Sequence, residues 1–313
     1  MAKYVKIATF GPIVRPRIKN KPEGVDPAEH VFRFLCTYLD RVMLDCPDLI
    51  VLPEVADRPT DIPTSERVPF YEARGNGVLD RLCAYAKEHA VFLLYNAVRR
   101  CEDGEYHNCS TLIDRTGAPI YRYDKNFPVI FEMEEYGVKP GASAKTVDCE
   151  LGRVGALICF DMNFDELRDG YAALKPNLLL FSSDYHGGMA RNYYAYATRS
   201  YLVASIGSGG PGGIVNPLGV EVATASSYSD HIVHTVNLDY VVCHLDENRG
   251  ARFTAMKEKY GDKVRIDIPS YLGPALITSE CEEKTAMDFV REFNLELIDD
   301  YFDRSRMARR QHL

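Results

Sequence analysis

Short apolar segments that alternate with amphipathic segments are the feature that most limits the folds open to this chain. Residues 48–53, 91–98 and 152–158 are apolar runs of strand length, which predict buried β-strands. Residues 26–43 place apolar side chains at the 3.6-residue period of a helix, and residues 78–89 predict a second helix. The longest apolar runs are far too short to span a bilayer, so we expect no membrane segment. The alternation predicts an α/β fold in which helices cover sheets.

The start of the first predicted helix carries a capping pattern. Asp26 precedes Pro27, and Glu29 stands three residues after Asp26. A short acidic side chain accepts a hydrogen bond from the free N–H groups at a helix start, and proline fits the first turn. We therefore expect a helix that begins after Asp26 with that residue as its N-cap.

The chain shows no linker between its two halves, because strand-like and helix-like segments follow one another throughout. We therefore expect one domain over residues 1–280. Residues 281–313 are rich in charge and helical in pattern. We expect them to form a helical C-terminal arm that packs on a partner subunit.

Charge and cysteine content exclude several classes of protein. The 313 residues include 37 Lys and Arg against 45 Asp and Glu, a net charge of −8, whereas a nucleic-acid binder needs a basic excess on one face. The nine cysteines are an odd number, spread along the chain without a CxxC pair. Neither a disulfide scaffold nor a compact zinc site has that spacing. We expect a cytoplasmic protein that binds neither nucleic acid nor membrane and uses no metal or other cofactor.

Three chemically useful side chains stand at the ends of predicted strands, and they belong to Glu54, Lys125 and Cys159. Ligands of α/β sheets commonly bind at the carboxyl ends of strands. At such a place burial would raise the pKa of Glu54 and suit it to general-base work, while Lys125 could stabilise a developing oxyanion. Helix N–H groups and a nearby cation would lower the pKa of the Cys159 thiol. Taken alone, each residue is more typical of a solvated carboxylate, a surface lysine or a core cysteine than of a catalytic group.

The order of these residues and the sequence around them resemble the nitrilase, or carbon–nitrogen hydrolase, superfamily. The matching motifs are LPE at 52–54, YRYDK at 121–125 and GALICFD at 155–161. The Pro-Gly pair at 140–141 matches the pair that usually precedes the strand before the nucleophile. The resemblance extends over residues 4–240 and so covers most of the chain.

This resemblance implies a four-layer αββα sandwich and hydrolysis of a non-peptide C–N bond in a small amide, carbamoyl compound or nitrile, without a cofactor. In such an enzyme Cys159 attacks the substrate carbon and forms a thioester-type acyl-enzyme. Glu54 takes the thiol proton, passes it to the leaving amine and then activates water. Lys125 and the backbone N–H of Phe160, a substrate-binding residue, stabilise the oxyanion. Amidase and N-carbamoyl hydrolase activities fit the sequence equally.

Two further features of the family bear on the site. Many members carry a second glutamate between the lysine and the Pro-Gly pair, and counting back from that pair selects Glu134, with Glu132 and Glu135 as alternatives. We expect Glu134 to lie beside the catalytic lysine. Tyr185 and His186 stand where the family's pocket usually forms, and they are candidates for substrate contact.

Two alternative functions differ from amide hydrolysis. A nitrilase that acts on a C≡N group usually has Trp-Glu after its cysteine, where this chain has Phe160 and Asp161, so an amide-type substrate is favoured. A nucleotide-binding protein could use Gly207–Gly212, which satisfies the GxGxxG pattern after a predicted strand. That pattern needs a helix behind it to aim N–H groups at a pyrophosphate, and residues 213–217 predict a strand and a turn instead.

The family usually pairs subunits through the helices that flank the nucleophile. The segment 189–201 carries four tyrosines, and aromatic residues are enriched in protein interfaces. We therefore expect a homodimer or a larger homo-oligomer. The tyrosines concerned are Tyr193, Tyr194, Tyr196 and Tyr201.

The N-terminal loop that follows the first strand is basic, with Arg15, Arg17, Lys19 and Lys21. Such a cluster of positive charge favours a substrate that carries a carboxylate. It is equally typical of a solvated loop, and the sequence leaves both interpretations open.

Overall fold

The structure of the protein is a computed structural model that describes residues 2–226, 228–245, 250–269 and 271–313. The chain forms two compact units, of which the larger comprises Lys6–His234. The smaller unit comprises Thr235–Leu313 together with the first residues of the chain. This division does not fall at the predicted boundary after residue 280, and packing of residues 281–313 on a partner subunit stays a prediction.

The first twelve strands of the chain form two six-stranded sheets. In chain order they are β1 (Tyr4–Phe10), β2 (Leu49–Val51), β3 (Phe92–Arg100), β4 (Tyr106–Ile113), β5 (Pro119–Asp124), β6 (Thr146–Cys149), β7 (Gly152–Ile158), β8 (Leu178–Tyr185), β9 (Tyr201–Gly209), β10 (Gly213–Val215), β11 (Glu221–Thr224) and β12 (His231–Asn237). The helices are α1 (Pro27–Met43), α2 (Arg67–Arg74), α3 (Gly77–His89), α4 (Ile130–Tyr136), α5 (Asp165–Leu174) and α6 (Met189–Thr198). Short 3-10 turns occupy Ile18–Asn20, Thr64–Glu66 and Cys159–Asn163.

The two sheets have the same arrangement of parallel and antiparallel strands. The first has the strand order β12-β1-β2-β3-β4-β5, and the second has the order β11-β10-β9-β8-β7-β6. In each sheet three neighbouring strands are parallel, namely β1, β2 and β3 in the first and β7, β8 and β9 in the second. Strands paired antiparallel flank them, including β4 and β5 in the first sheet and β6 and β10 in the second. The carboxyl ends of the parallel strands are therefore the natural place for a ligand site.

The two sheets face each other and are joined by buried hydroxyl groups. Thr9 Oγ1 on β1 donates a hydrogen bond to the Ala204 carbonyl on β9, at 2.9 Å. Ser182 Oγ on β8 donates to the Leu52 carbonyl just beyond β2, at 2.8 Å. The second bond ties β8 of one sheet to the segment just beyond β2 of the other, two residues before Glu54.

Helices cover the outer faces of both sheets, which confirms the predicted αββα sandwich. Helix α1 begins where the sequence predicts, since the Asp26 side chain accepts a hydrogen bond from the Glu29 N–H at 3.0 Å. With α3 it packs on the first sheet through residues such as Leu35 and Leu82, which are fully buried. Each such side chain contributes about 1.5–3 kcal/mol by leaving water. On the second sheet Tyr171 of α5 donates its hydroxyl to a carbonyl of β7.

The smaller unit contains a sheet that the sequence did not predict. Its strands are β13 (Tyr240–His244), β14 (Val264–Asp267) and β15 (Pro274–Ser279), in the antiparallel order β13-β15-β14. Its helices are α7 (Gly250–Tyr260), α8 (Ala286–Glu292) and α9 (Ile298–Gln311). Residues 285–304, whose pattern is helical throughout, form two helices because Asn294 adopts a left-handed conformation between them (φ 47°). No helix in the described ranges is both long enough and apolar enough to cross a membrane.

Candidate active site

Glu54 lies at the end of β2, in the LPE segment, where a strained turn and a buried amide hold it. The next residue, Val55, has φ +43°, a region that a β-branched residue rarely enters. The Asn96 side-chain carbonyl accepts the Val55 N–H at 2.8 Å and so fixes this turn. Asn96 in turn donates to the Asn108 side-chain oxygen at 3.0 Å, and Asn108 Nδ2 donates to Glu54 Oε1 at 2.9 Å. Both amides are fully buried, and nothing in the sequence motifs singled them out.

Lys125 follows β5 and is almost fully buried, with 1% of its surface exposed. Its backbone N–H donates to the Asn108 carbonyl at 2.8 Å, and its own carbonyl accepts the Gly141 N–H at 2.8 Å. A Cβ at Gly141 would stand 2.3 Å from the Asp124 carbonyl oxygen, which explains the glycine of the Pro-Gly pair by close backbone approach. The ammonium group donates to Glu54 Oε1 at 2.9 Å.

The second carboxylate beside the lysine belongs to Glu132, so the expected placement of Glu134 is wrong. Lys125 Nζ lies 2.7 Å from Glu132 Oε2, and Asn108 Nδ2 donates to Glu132 Oε1 at 2.6 Å. Glu132 is the third residue of α4 and shares the buried face of that short helix with Tyr136, four positions later. Glu134 and Glu135 fall on its exposed face. Counting back from the Pro-Gly pair misses this, whereas the helical spacing of Glu132 and Tyr136 was a usable signal.

Cys159 ends β7 and begins a 3-10 turn, as a nucleophile on a sharp bend would. Its φ is +48°, a left-handed conformation that costs a residue other than glycine about 1–2 kcal/mol. Its side chain is half-buried. The Glu54 carboxylate lies close enough to the thiol to act on its pKa. The structure thus brings Glu54, Lys125, Glu132 and Cys159 together.

Asp161 locks the turn that carries Cys159. One carboxylate oxygen accepts the Ile158 N–H at 3.0 Å and the Tyr123 hydroxyl at 2.8 Å, and the other accepts the Phe127 N–H at 2.8 Å. Because Tyr123 and Phe127 flank Lys125, this one side chain ties the cysteine turn to the lysine loop. Burial raises the pKa of Asp161 to about 6 against the effect of those hydrogen bonds. The sequence motif includes Asp161 but gave it no role.

Glu54 and Lys125 each stabilise the charged form of the other. Burial alone would raise the pKa of Glu54, but the Lys125 ammonium and hydrogen bonds from Lys125, Cys159 and Asn108 outweigh it and lower that pKa. Burial alone would lower the pKa of Lys125, but Glu54 and Glu132 raise it. Glu54 is therefore a carboxylate and Lys125 an ammonium at neutral pH, which corrects the expectation that burial raises the pKa of Glu54.

The thiol behaves opposite to the sequence-based expectation. Burial, followed by the negative charge of Glu54, raises the pKa of Cys159 to about 12. Lys125 and the backbone N–H of Asp184 oppose that shift without reversing it. At neutral pH the resting site therefore holds a neutral thiol beside a carboxylate that can accept its proton.

Of the three residues predicted to contact substrate, Phe160 and Tyr185 lie near Cys159, whereas His186 contacts an arginine. Phe160, next to the cysteine, is exposed and packs edge-on against Phe164, with ring centroids 5.3 Å apart. Burial, followed by the proximity of the Cys159 sulfur, raises the pKa of Tyr185 to about 12. His186 points instead to Arg191, whose Nη2 lies 2.7 Å from its Nε2, and burial and that cation lower its pKa.

Outside the site around Cys159, two cysteines and one aspartate lie close enough together that they could hold a metal ion. Cys101, Cys109 and Asp124 offer ligand atoms within 4.8 Å of one another. Arg122 donates to both oxygens of Asp124, at 2.8 and 2.9 Å. The carboxylate is therefore already engaged by a guanidinium, and this cluster carries no argument for a metal.

The glycine-rich segment Gly207–Gly212 does not have the setting of a phosphate-binding loop. It begins within β9 and is followed by β10, which pairs antiparallel with β9. A cradle for a pyrophosphate needs a helix N-terminus at that point. The nucleotide-binding alternative therefore loses its structural basis.

Comparison with known proteins places the chain in a family. Residues 46–242, more than half of the chain, match the family model described as carbon–nitrogen hydrolase. The chain belongs to the carbon–nitrogen hydrolase family, within the nitrilase superfamily.

Relatives in sequence are distant and include amidases. Human deaminated glutathione amidase is 25% identical over 222 residues, which cover 62% of this chain and 68% of that protein. Human omega-amidase is 24% identical over 226 residues, covering 62% and 80%. A hydrolase of Schizosaccharomyces pombe is 29% identical over 136 residues, but the match spans only 39% of that protein.

Solved structures share the fold. The NitFhit protein of C. elegans superposes with a TM-score of 0.63 at 21% identity, over 76% of this chain and 62% of that one. An amidase from Nesterenkonia sp. gives a TM-score of 0.63 at 17% identity, over 80% of this chain and 96% of that one.

The raised pKa of Cys159 gives a test of the site's electrostatics. In the wild-type protein, the rate of iodoacetamide alkylation at Cys159 should rise about tenfold per pH unit without a plateau between pH 7 and 11, because the thiol ionises near pH 12. In Glu54→Gln the profile should move to lower pH, since a charge that disfavours the thiolate is gone while Lys125 stays. Peptide mass spectrometry measures the rates, with the exposed Cys46 as internal control. An unchanged profile in Glu54→Gln would show that Glu54 does not act on the thiol.

Proposed function

We propose that the protein hydrolyses a carboxamide C–N bond in a small molecule, with Cys159 as the nucleophile. The observation that carries this is the buried Lys125 ammonium held between two carboxylates beside a half-buried thiol. The relatives that are named as amidases support an amide rather than a nitrile. A nitrile could add to the same thiol as a thioimidate, so it belongs in the panel of test substrates.

The first half of the reaction forms an acyl-enzyme. The Cys159 sulfur attacks the amide carbon while Glu54 accepts the thiol proton, so no free thiolate needs to build up. The carbonyl oxygen gains the negative charge of a tetrahedral adduct. Two of the three N–H donors of Lys125 bond to Glu54 and Glu132, and the third can reach this oxygen together with the Phe160 N–H.

The second half returns the enzyme to its resting state. Glu54 gives the proton to the amide nitrogen, the C–N bond breaks, and ammonia or an amine leaves with a thioester on Cys159. Glu54 then takes a proton from water as the water oxygen attacks the thioester carbon. The C–S bond breaks, the acid product leaves, and the sulfur regains its proton from Glu54.

Glu132 acts in this scheme as a positioning residue. It does not touch the reacting atoms, but it accepts from Lys125, from Asn108 and from the Val129 N–H at 3.0 Å. It thereby fixes the direction of the ammonium and keeps it charged. Glu134 has no such position.

Assembly and location are further parts of the proposal. The outer surface of α6 exposes Met189 and Tyr193, which supports a homodimer formed through this region, whereas Tyr194 and Tyr201 are buried within the subunit. We assign the protein to the cytoplasm on the spacing of its cysteines, which suits a reducing compartment.

Cys159→Ala should abolish turnover. A panel of short aliphatic amides, ureido acids and nitriles is scored by ammonia release, and we expect release from amides by the wild-type protein and by Cys46→Ser. Cys159→Ala should release none because no other group can carry the acyl intermediate. Ammonia release by Cys159→Ala, or none from any amide by the wild-type protein, would refute the proposed function.

Glu132→Gln and Glu134→Gln form a matched pair of variants on one helix. Glu132→Gln should lower kcat on the best amide by about 100-fold or more, because the lysine loses the charge that orients it toward the oxyanion. Glu134→Gln should stay within about threefold of wild type, as exposed substitutions usually do. Steady-state ammonia assays at fixed pH measure both. A crippled Glu134→Gln beside an active Glu132→Gln would mean that the two side chains have been assigned the wrong roles.

A further inference from the structure

A cavity of about 560 Å³ lies within the larger unit, and none of the four residues gathered at the candidate active site lines it. Its volume is in the range of sites that bind small molecules. Residues of β3, β4 and β5 line it, together with residues at the starts of α3 and β6. Among the lining residues Glu102 is the one carboxylate, against four cations. These cations are Arg99, Arg100, Arg122 and Lys145.

The cavity lies across the first sheet from the site around Cys159. Side chains three positions apart on a strand point to opposite faces of the sheet. Asn96 and Arg99 stand three apart on β3, and so do Asn108 and Thr111 on β4. Asn108 contacts Glu54 on the inner face, whereas Arg99 donates to the Thr111 hydroxyl at 3.0 Å on the outer face.

Arg99 is a buried cation whose hydrogen-bond partners are neutral. Only 8% of its surface is exposed, and its Nη1 and Nη2 donate to the Asn76 side-chain oxygen and the Thr111 hydroxyl. Its Nε is buried without an acceptor in the described part of the chain, and there Arg99 forms no ion pair. Two of the five N–H donors of a guanidinium serve these two bonds, so donors remain for a ligand. A buried cation without a carboxylate favours an incoming anion.

Of the other lining cations, Arg122 alone has a carboxylate partner. It donates to both oxygens of Asp124, at 2.8 and 2.9 Å. Arg100 Nε donates to the Gly104 carbonyl at 2.9 Å, and Lys145 Nζ donates to the Arg122 carbonyl at 3.2 Å. Within the described ranges neither Arg100 nor Lys145 forms an ion pair, so two further positive charges at the cavity face no close carboxylate.

The positive charge also acts on the fully buried Cys109. A hydrogen bond from Cys101, followed by the charge of Arg99, lowers the pKa of the Cys109 thiol to about 6 although burial opposes the shift. A thiolate at Cys109 balances one cation, Arg99, from within the protein. It leaves the charges of Arg100 and Lys145, which are exposed at the surface, available to a ligand.

We infer that this cavity binds a small organic molecule with two or more negative charges on phosphate or carboxylate oxygens, and that Arg99 contacts one of these groups. A planar guanidinium binds either group through two parallel hydrogen bonds, which a lysine cannot do. The apolar residues Leu79, Ile120 and Val147 also line the cavity and suit the carbon part of such a molecule. The inference is independent of the proposed amide hydrolysis.

Calorimetry with pyrophosphate and with citrate, at matched ionic strength, tests this inference. The wild-type protein should bind one equivalent of at least one of the two probes with a Kd of about 1 mM or lower. The tighter probe identifies the preferred group as phosphate or carboxylate. Arg99→Gln should weaken binding about tenfold or more, the usual effect of losing a hydrogen bond between charged groups, and Arg99→Lys should recover only part of it. Binding of neither probe by the wild type, or unchanged affinity in Arg99→Gln, would overturn the inference.

A second variant tests the site without a buried substitution. Arg100→Gln/Lys145→Gln changes two exposed residues, so the fold should stay intact, and binding of the better probe should weaken about fivefold. Arg17→Gln removes an exposed arginine outside the cavity and should keep the wild-type affinity. An equal loss in Arg17→Gln, or none in Arg100→Gln/Lys145→Gln, would place the anion elsewhere and overturn the inference even if Arg99→Gln does not fold.

Discussion

The structure of the site depends on one buried interaction, the Lys125 ammonium between the carboxylates of Glu54 and Glu132. A buried cation with one such partner removed is costly, by about 3–5 kcal/mol for a broken buried pair, so each member needs the others. The lysine follows a strand of the first sheet, and Glu132 comes from a short helix beyond it. Glu54 follows another strand of the first sheet, β2. This ion-pair cluster thus links the segment after β2 to the segment that carries both Lys125 and Glu132, about 70 residues later.

The second sheet brings Cys159 to this buried ion-pair cluster. Asp161 accepts hydrogen bonds from both sides of the lysine loop and from the residue before Cys159, so the position of the sulfur depends on the position of the lysine. The strained backbone at Val55 and Cys159 lies next to the Glu54 carboxylate and at the Cys159 thiol. Strain of this kind persists only where the surrounding contacts fix it, and here a buried aspartate and the Asn96 amide do so.

What the sequence predicted correctly has a local physical cause. The start of α1 at Asp26 and the strand β7 before Cys159 follow from capping and apolar patterning within a few residues. The motifs also indicated that Glu54, Lys125 and Cys159 meet. The choice of Glu134 failed because it counted along the chain, whereas burial of Glu132 depends on which face of α4 meets the protein. The directions of the pKa shifts of Glu54 and Cys159 could not be predicted, because they depend on partners that only folding brings together.

The central claim is that Cys159 carries the acyl group during turnover. It is tested most directly by quenching the wild-type protein with acid during hydrolysis of its best amide and measuring the mass of the peptide that contains Cys159. We expect this peptide to gain the mass of the substrate minus ammonia, in a bond that hydroxylamine cleaves. Ammonia release at full rate with no adduct, or with the adduct on another residue, would contradict covalent catalysis by Cys159.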